Sequence, residues 1–408
     1  MPTQPLSHLR VLDLTRVLAG PWATQLLADM GAEVIKIERP KTGDDTRGWG
    51  PPFLKDADGR DTAESSYFLS ANRAKKSVTV DIATADGQDL IRQIAKKSDV
   101  LIENYKVGTL ARYGLAYSDL SALNPRLIYC SLTGFGQTGP YAPLPGYDFV
   151  FQGMGGLMSI TGLPDELPGG GPIKCGIAIT DILAGMYAGT AVLAALEHRH
   201  VSGRGQYIDL ALFDCVVGLN SYQALNYFLS GKTPPRMGNA HTNMVPYQAF
   251  ACSEGHVIVA VGNDSQFASF CRVIERPDLA ADERFTKAVG RVRHRDDLIP
   301  VVERIMRGRT MSDWIARMEA ANVPCGPIYD IPRVFEDPQV AERGMKLSLD
   351  HPLGVAAPGL ANPIRFSDTP IRYQHPPPTL GQHTDETLSG LLGLSDETVA
   401  QLRSKNVI

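Results

Sequence analysis

The stretch Leu9–Pro40, LRVLDLTRVLAGPWATQLLADMGAEVIKIERP, decides the fold. Its opening residues, Leu9 to Leu14, are nearly continuously apolar, as in a strand covered on both faces of a parallel sheet. Pro21 suits the first turn of a helix, where its missing N–H leaves no bond unmade. Trp22, Leu26, Leu27 and Met30 then form a helical apolar stripe, Gly31 stands where a left-handed C-cap is wanted, and Val34 to Ile37 resume as strand. Arg16 and Arg39 fall just beyond the carboxyl ends of the two strands, the edge at which open α/β sheets bind ligands. Surface arginines on an ordinary domain and a cationic ligand crevice fit this unit equally well. The turn from Thr15 to Pro21, TRVLAGP, contains neither GxGxxG nor GxxxxGK[ST], so a pyrophosphate turn of the dinucleotide or P-loop kind is not expected.

Outward from this unit the alternation continues. A Gly/Pro-rich loop, Lys41 to Phe53, is followed by a predicted strand at Ser77–Ile82, a helix at Ala85–Lys97 and a strand at Val100–Glu103. A helix is predicted through Leu110 and Arg112, then a strand at Leu127–Leu132. This pattern predicts an α/β fold with a Rossmann-like, doubly wound parallel sheet. Glycine and proline dominate from Thr133 to Lys174, which predicts a long irregular loop. A strong helix follows from about Asp181 to His200, and Gln206–Leu212 returns as strand. The character changes near Lys232, where antiparallel strands and charged helices predict a smaller α+β domain. The expected organisation is residues 1–230 as the N-terminal part of a large domain, 231–330 as the small domain, and 331–408 as a return segment completing the large one.

Composition narrows the function classes. A chain of 408 residues with 43% hydrophobic and 21% charged side chains reads as an ordinary soluble globular protein. A net charge of -4 gives no reason to expect a nucleic-acid or membrane-surface partner, so an anionic ligand must be met by local arginines and lysines. The apolar run Ile182–Leu196 is broken by Gly185 and Gly189 and reads as a buried helix, not a membrane span. No export or organelle signal is visible at the start, and cytoplasm is the expected location. The six cysteines stand singly, without CxxC, and no HExxH or EF-hand loop is present, so no metal site is expected.

Asp181 opens the long apolar helix after the glycine-rich stretch. As an N-cap its carboxylate would accept backbone N–H bonds, feel the positive end of the helix dipole and stay ionised. An ionised, positioned carboxylate can attack a thioester carbonyl and be regenerated. A cap and a nucleophile are both consistent with its place. No GxSxG serine competes for the nucleophilic role. His198 and His200 end the same helix, where they complement its dipole.

The segments LDLTRVLAGPWATQLLADMGAEVIKIERP, GDDTRGWGPPF, NRAKKSVTVDI, ENYKVGTLARYGL, SLTGFGQTGPY and GYDFVFQGMGGLMSITG, in this order, resemble the class III CoA-transferases, the family of formyl-CoA:oxalate and carnitine CoA-transferases. The resemblance implies that Asp181 is the residue acylated by the CoA donor and that Val17 and Ala19 line the CoA site. It implies that Arg39 meets the nucleotide phosphate, with Asn104, Tyr105 and Arg112 flanking the adenine and pantetheine path. It also implies an interlocked homodimer, no permanently bound cofactor, and a coenzyme A thioester as substrate. Within the family, GDDTRGWGPPF, RMGNAH, VPYQAF and GNDSQF look most like the succinyl-CoA:glutarate branch. The glycine run that covers the acylated aspartate in the oxalate branch is replaced here by His241-Thr242-Asn243-Met244-Val245. A dicarboxylate such as glutarate needs a partner for its distal carboxylate; Arg47, Arg236 and His241 are candidates, though ordinary surface charge fits them equally well, and Tyr147 and Asp148 are further candidate substrate residues.

The α-methylacyl-CoA racemases resemble the chain over the same segments. Their basic histidine lies in a Gly-His-Asp triplet, and the matching place here is Gly146-Tyr147-Asp148. A tyrosine with an ordinary pKa of about 10 is a poor base near neutrality. A CoA-binding protein without turnover is the third reading. Enantiopure 2-methylacyl-CoA incubated in deuterated water is therefore expected to show neither inversion nor exchange at the α-carbon by mass spectrometry; exchange would restore the racemase reading.

Overall fold

In the computed structural model, which describes residues 4–408, the deciding stretch becomes β1 (Arg10–Leu14), α1 (Ala19–Asp29) and β2 (Glu33–Glu38). A short hairpin, β3 (Phe53–Lys55) and β4 (Asp61–Ser65), leads through α2 (Ser66–Ala71) to β5 (Lys75–Thr79). The alternation continues as α3 (Ala85–Lys96), β6 (Val100–Glu103), α4 (Tyr117–Leu123) and β7 (Ile128–Thr133). Two short helices, α5 (Asp148–Met154) and α6 (Leu157–Ile160), interrupt the glycine-rich stretch expected to be irregular. The chain then forms α7 (Ile179–Ser202), β8 (Tyr207–Ala211), α8 (Leu212–Leu219) and α9 (Ser221–Ser230). Between β6 and α4 only a 3-10 turn, Ala111–Tyr113, takes the place of the predicted helix.

Six strands form one parallel sheet in the order β5-β2-β1-β6-β7-β8. By sequence this is the doubly wound order in which the chain reverses direction between β1 and β6, and the loops after those two strands open a crevice at the carboxyl edge. Alternate residues of β1 serve the two faces. Val11 joins the core that packs α1, α7 and α8, whereas Leu12 and Leu14 join the core of α3, α4 and the C-terminal helices. Gly203, left-handed at φ +73°, ends α7.

The apolar reading of these strands passes over buried charges in β1, β2 and β5. Asp13, Lys36 and Lys75 have almost no exposed surface, and Asp13 pairs in register with Lys36 across the two central strands. Lys75 starts β5 earlier than the predicted Ser77 because its ammonium is buried on Asp13, Asn72 Oδ1 and the Pro21 carbonyl.

The chain divides into two units. Among the described residues, one unit comprises 4–157, 174–229 and 339–408; the other comprises 158–173 and 230–338. The segment 158–173, expected in the large domain, thus joins the smaller unit, and the return segment begins at 339. The smaller unit holds a three-stranded antiparallel sheet, Tyr247–Ala251, His256–Ala260 and Cys325–Pro327, with helices packed around Phe250, Phe267, Phe270 and Trp314.

Arg47, a candidate for the substrate carboxylate, is instead an interior tie of the larger unit. Its guanidinium donates to Glu38 at 2.8 Å through Nε and Nη2, to Glu64 at 2.7 Å through Nη1, and to the Pro378 carbonyl at 3.1 Å. It lies 3.7 Å from the centre of the Phe68 ring, with its side chain 6% exposed, so no donor is left for a ligand. Removing it strands two buried carboxylates, and Arg47→Met is expected to cost about 3–5 kcal/mol of stability, read as a lower urea midpoint.

Candidate active site

The close approach of α1 and α7 builds the site. A Cβ on Gly185 would lie 2.7 Å from the Ala19 carbonyl oxygen, so only glycine lets α7 pack this tightly on the start of α1. Asp181 stands one turn before Gly185 on the same helix face, which brings its carboxylate beside the loop after β1. Arg16, Val17, Leu18 and Ala19 from that loop, Asn104 to Lys106 from the loop after β6, and Gly146 and Tyr147 line a cavity of about 200 Å³ with Asp181.

Asp181 is not the N-cap that its position suggested. The helix begins at Ile179 behind Ala178, which makes no side-chain cap, and Asp181 lies in the first turn. The capping carboxylate is Asp148: its Oδ1 accepts the Thr180 N–H at 2.7 Å and its Oδ2 accepts Gln152 Nε2 at 2.6 Å. Gln152 in turn accepts the Cys175 N–H at 2.8 Å, so α5 holds the approach to α7.

Asp181 is 7% exposed and its side chain has no hydrogen-bond partner among the described residues. Burial, reinforced by the Asp148 charge, pushes its carboxyl up to about 7, so the expectation that it stays ionised is corrected. The helix dipole favours the anion, but desolvation outweighs it. Tyr67, which the sequence reading did not single out, feels both Asp181 and Asp148; burial and those charges push its phenol up to about 12 and keep it protonated. Trp49 packs edge-on against it with ring centres 5.1 Å apart. No motif marks Tyr67, whose place follows from the fold of α2.

Val17, Ala19, Asn104, Tyr105, Tyr147 and Asp181 are brought together. Tyr147 is largely exposed at the rim, whereas Asp148 acts from behind through Thr180. A neighbouring cavity of about 140 Å³ is lined by Arg39, Arg16, Tyr105, Tyr113, Val80 and Ile82. Arg16 and Tyr105 border both cavities, and the Arg16 guanidinium lies 5.3 Å from the Tyr105 ring centre. Arg112 sits in the 3-10 turn below Tyr113, exposed, and does not line this cavity. In the smaller unit Arg236 is occupied: it pairs with Asp165 and donates to the Leu163 carbonyl at 3.2 Å, tying down the 158–173 segment. His241 stacks edge-on against Tyr247, and Arg295 donates to the His241 carbonyl at 2.6 Å. No cluster of metal-ligating side chains occurs among the described residues.

A doubly wound sheet whose switch-point crevice joins a cationic cavity to a buried, unbonded carboxylate is the framework of an enzyme that handles an anionic acyl carrier. The chain belongs to CoA-transferase family III, whose sequence pattern matches residues 6–384. It is 47% identical over 387 residues to the succinate--glutarate CoA-transferase of Agrobacterium fabrum, covering 95% of this chain and 96% of that relative. It is 41% identical over 407 residues to the human succinyl-CoA:glutarate CoA-transferase, covering 99% and 90%. Among solved structures it is similar to a CAIB/BAIF family protein from Brucella suis, with a TM-score of 0.82 and 47% identity over 96% of this chain and 100% of that one. The protein is accordingly a CoA-transferase that uses coenzyme A thioesters as substrates.

The carboxyl of Asp181 holds its proton until about pH 7, so its anion grows in as the pH rises through that value. For the free enzyme, kcat/KM is expected to rise along a limb centred near 7. Asp148→Asn keeps an oxygen for Thr180 and removes the neighbouring charge; the limb is then expected to move to lower pH in a pH–rate profile.

Proposed function

We propose that the protein transfers CoA from succinyl-CoA to glutarate or a similar small dicarboxylate, with Asp181 as the covalent carrier. The carrying observation is that Asp181 is buried in the switch-point cavity without a hydrogen bond, poised against the start of α1. The named activities of the Agrobacterium and human relatives support the substrate pair.

An Asp181 oxygen attacks the succinyl-CoA carbonyl, the C–S bond breaks, and CoA leaves as thiolate. The thiolate attacks the aspartyl carbonyl of the resulting anhydride, so succinate leaves and an aspartyl-CoA thioester remains. A glutarate carboxylate then displaces the thiolate to form the second anhydride. Return of the thiolate to the glutaryl carbonyl releases glutaryl-CoA and regenerates the Asp181 carboxylate. Charge is conserved at each exchange, and no proton, metal or redox group is consumed. Burial raises the energy of the Asp181 anion and favours its attack. The amides of Leu18 and Ala19, at the entry to α1, suit an oxyanion at the attacked carbonyl.

Arg39, exposed in the smaller cavity, would meet a CoA phosphate. A homodimer accords with exposed apolar side chains on α5, α7 and α9, among them Phe149, Val150, Met186, Tyr187 and Phe228. A cytoplasmic setting accords with six cysteines that are all unpaired.

Asp181→Asn is expected to fold, bind CoA and lose transfer, and hydroxylamine added during turnover is expected to mark Asp181 in the parent enzyme by peptide mass. Near-native glutaryl-CoA production by an Asn variant verified not to have deamidated would remove the covalent step.

A further inference from the structure

Val17 is β-branched and yet left-handed, with φ +71°. Such a residue keeps that conformation only where its surroundings over-determine it. Here they do. The Val17 N–H donates to Asp44 Oδ1 at 3.2 Å. Asn104 grips the preceding residue on both sides, accepting the Arg16 N–H at 2.9 Å and donating to the Arg16 carbonyl at 2.7 Å. One residue further back, Lys36 Nζ donates to the Thr15 carbonyl at 2.9 Å. Asp44 is itself immobilised. Its Oδ2 accepts from Lys36 at 2.8 Å, its Oδ1 from the N–H and hydroxyl of Thr46, and its own N–H is bound by Glu38. Both side chains of the Lys36–Asp44 pair are fully enclosed.

Glycine closes the other side of the turn. A Cβ on Gly20 would stand 2.3 Å from that of Thr15, so the chain doubles back at its tightest between these two residues. Immediately after Val17, Leu18 and Ala19 line the cavity of Asp181, and as the entry to α1 their N–H groups have no acceptor among the described residues.

We infer that Asp44, fixed by Lys36, is a positioning residue for the transfer reaction: with Asn104 it keeps Val17 left-handed, and so sets Leu18 and Ala19 against the Asp181 carboxylate. The inference rests on the CoA-transfer reading, which gives the turn a reacting group to align. Donors fixed before the reaction stabilise charge as it develops without reorganising. If Val17 relaxes to an ordinary backbone conformation, the following amides swing away from that place. Asp44 also borders the cavity that holds Arg39, but its side chain is fully enclosed and offers no group to a ligand there, whereas Arg39 is exposed. The loss therefore falls on kcat and spares KM for the acyl-CoA.

The test is a double-mutant cycle on the full-length protein, using succinyl-CoA and glutarate. Asp44→Ala is expected to lower kcat about 10- to 100-fold while KM for succinyl-CoA stays within about threefold. Glycine takes a positive φ without a Cβ penalty, so adding Val17→Gly is expected to return kcat to within about threefold of the Val17→Gly single variant. Asn104→Ala opens the same clamp without stranding a charge and is expected to be rescued in the same way, which serves should Asp44→Ala fail to fold. Losses that multiply in the double variants, or a kcat unchanged in both single variants, overturn the inference. If the parent enzyme transfers no CoA to any acid, the functional reading fails instead. The clamp is then decided by crystal structures of the Asp44→Ala and Asn104→Ala proteins, in which a Val17 still left-handed overturns it.

Discussion

The carboxyl edge of the sheet depends on one ion pair, Lys36 with Asp44, shut away from water in the interior of the fold. Such a pair is a poor source of net stability, because the desolvation of two charges offsets most of their attraction. What it contributes is direction. The Lys36 ammonium ties the Thr15 carbonyl to Asp44, and Asp44 ties the next turn to Thr46 and Glu38. Asp13 does the same from the neighbouring strand, accepting from Thr15, Thr24 and Lys75. Polar contacts of this kind have strict geometry, where apolar packing tolerates sliding. The loop that lines the Asp181 cavity is therefore specified by hydrogen bonds from beneath.

The same economy of contacts shapes the Asp181 carboxylate. Asp148 satisfies the helix terminus, which leaves Asp181 free of the bonds that would hold a carboxylate inert. A carboxylate accepting several N–H bonds is a stable anion and a poor nucleophile; one held in a partly dry cavity is the reverse. Gly185 makes this possible at a distance, since the helix contact it permits carries Asp181 into the crevice. Aspartate in a helix first turn is common; the pairing of a capped neighbour at Thr180 with a carboxylate that makes no hydrogen bond distinguishes this one.

Periodicity made the parallel sheet legible, because Leu9–Pro40 carries a complete strand, helix and strand. It located Arg16 and Arg39 at the carboxyl edge and Asp181 at the head of its helix, whereas Val17 and Ala19 were singled out only by the family resemblance. Buried charge was not legible: Asp13, Lys36 and Lys75 interrupt apolar strands just as surface residues would, and only their pairing across the sheet distinguishes them. Arg47 misled for the same reason, since a guanidinium that ties Glu38 to Glu64 and one that awaits a substrate have the same sequence signature. Tyr67 was invisible because it comes to Asp181 through tertiary structure. The division at 158–173 was hidden too, as glycine-rich sequence reports that a chain turns without saying against what it packs.

The larger unit is assembled from three separated stretches, and its last one is stitched deeply into the first. Pro378 caps Arg47, Gly381 and His383 bond to Ser77, Asn362 reaches Asp29, and the Val407 carbonyl accepts the Asp81 N–H. A ribosome must therefore deliver residues 339–408 before Arg47 and β5 have their full complement of partners, long after β1 has emerged. The intervening smaller unit has its own core and is complete by residue 338. Synthesis thus presents the cell with an interior that waits open for its final loop and helices, a window in which the uncovered β5 margin is exposed to chaperones or to a second nascent chain.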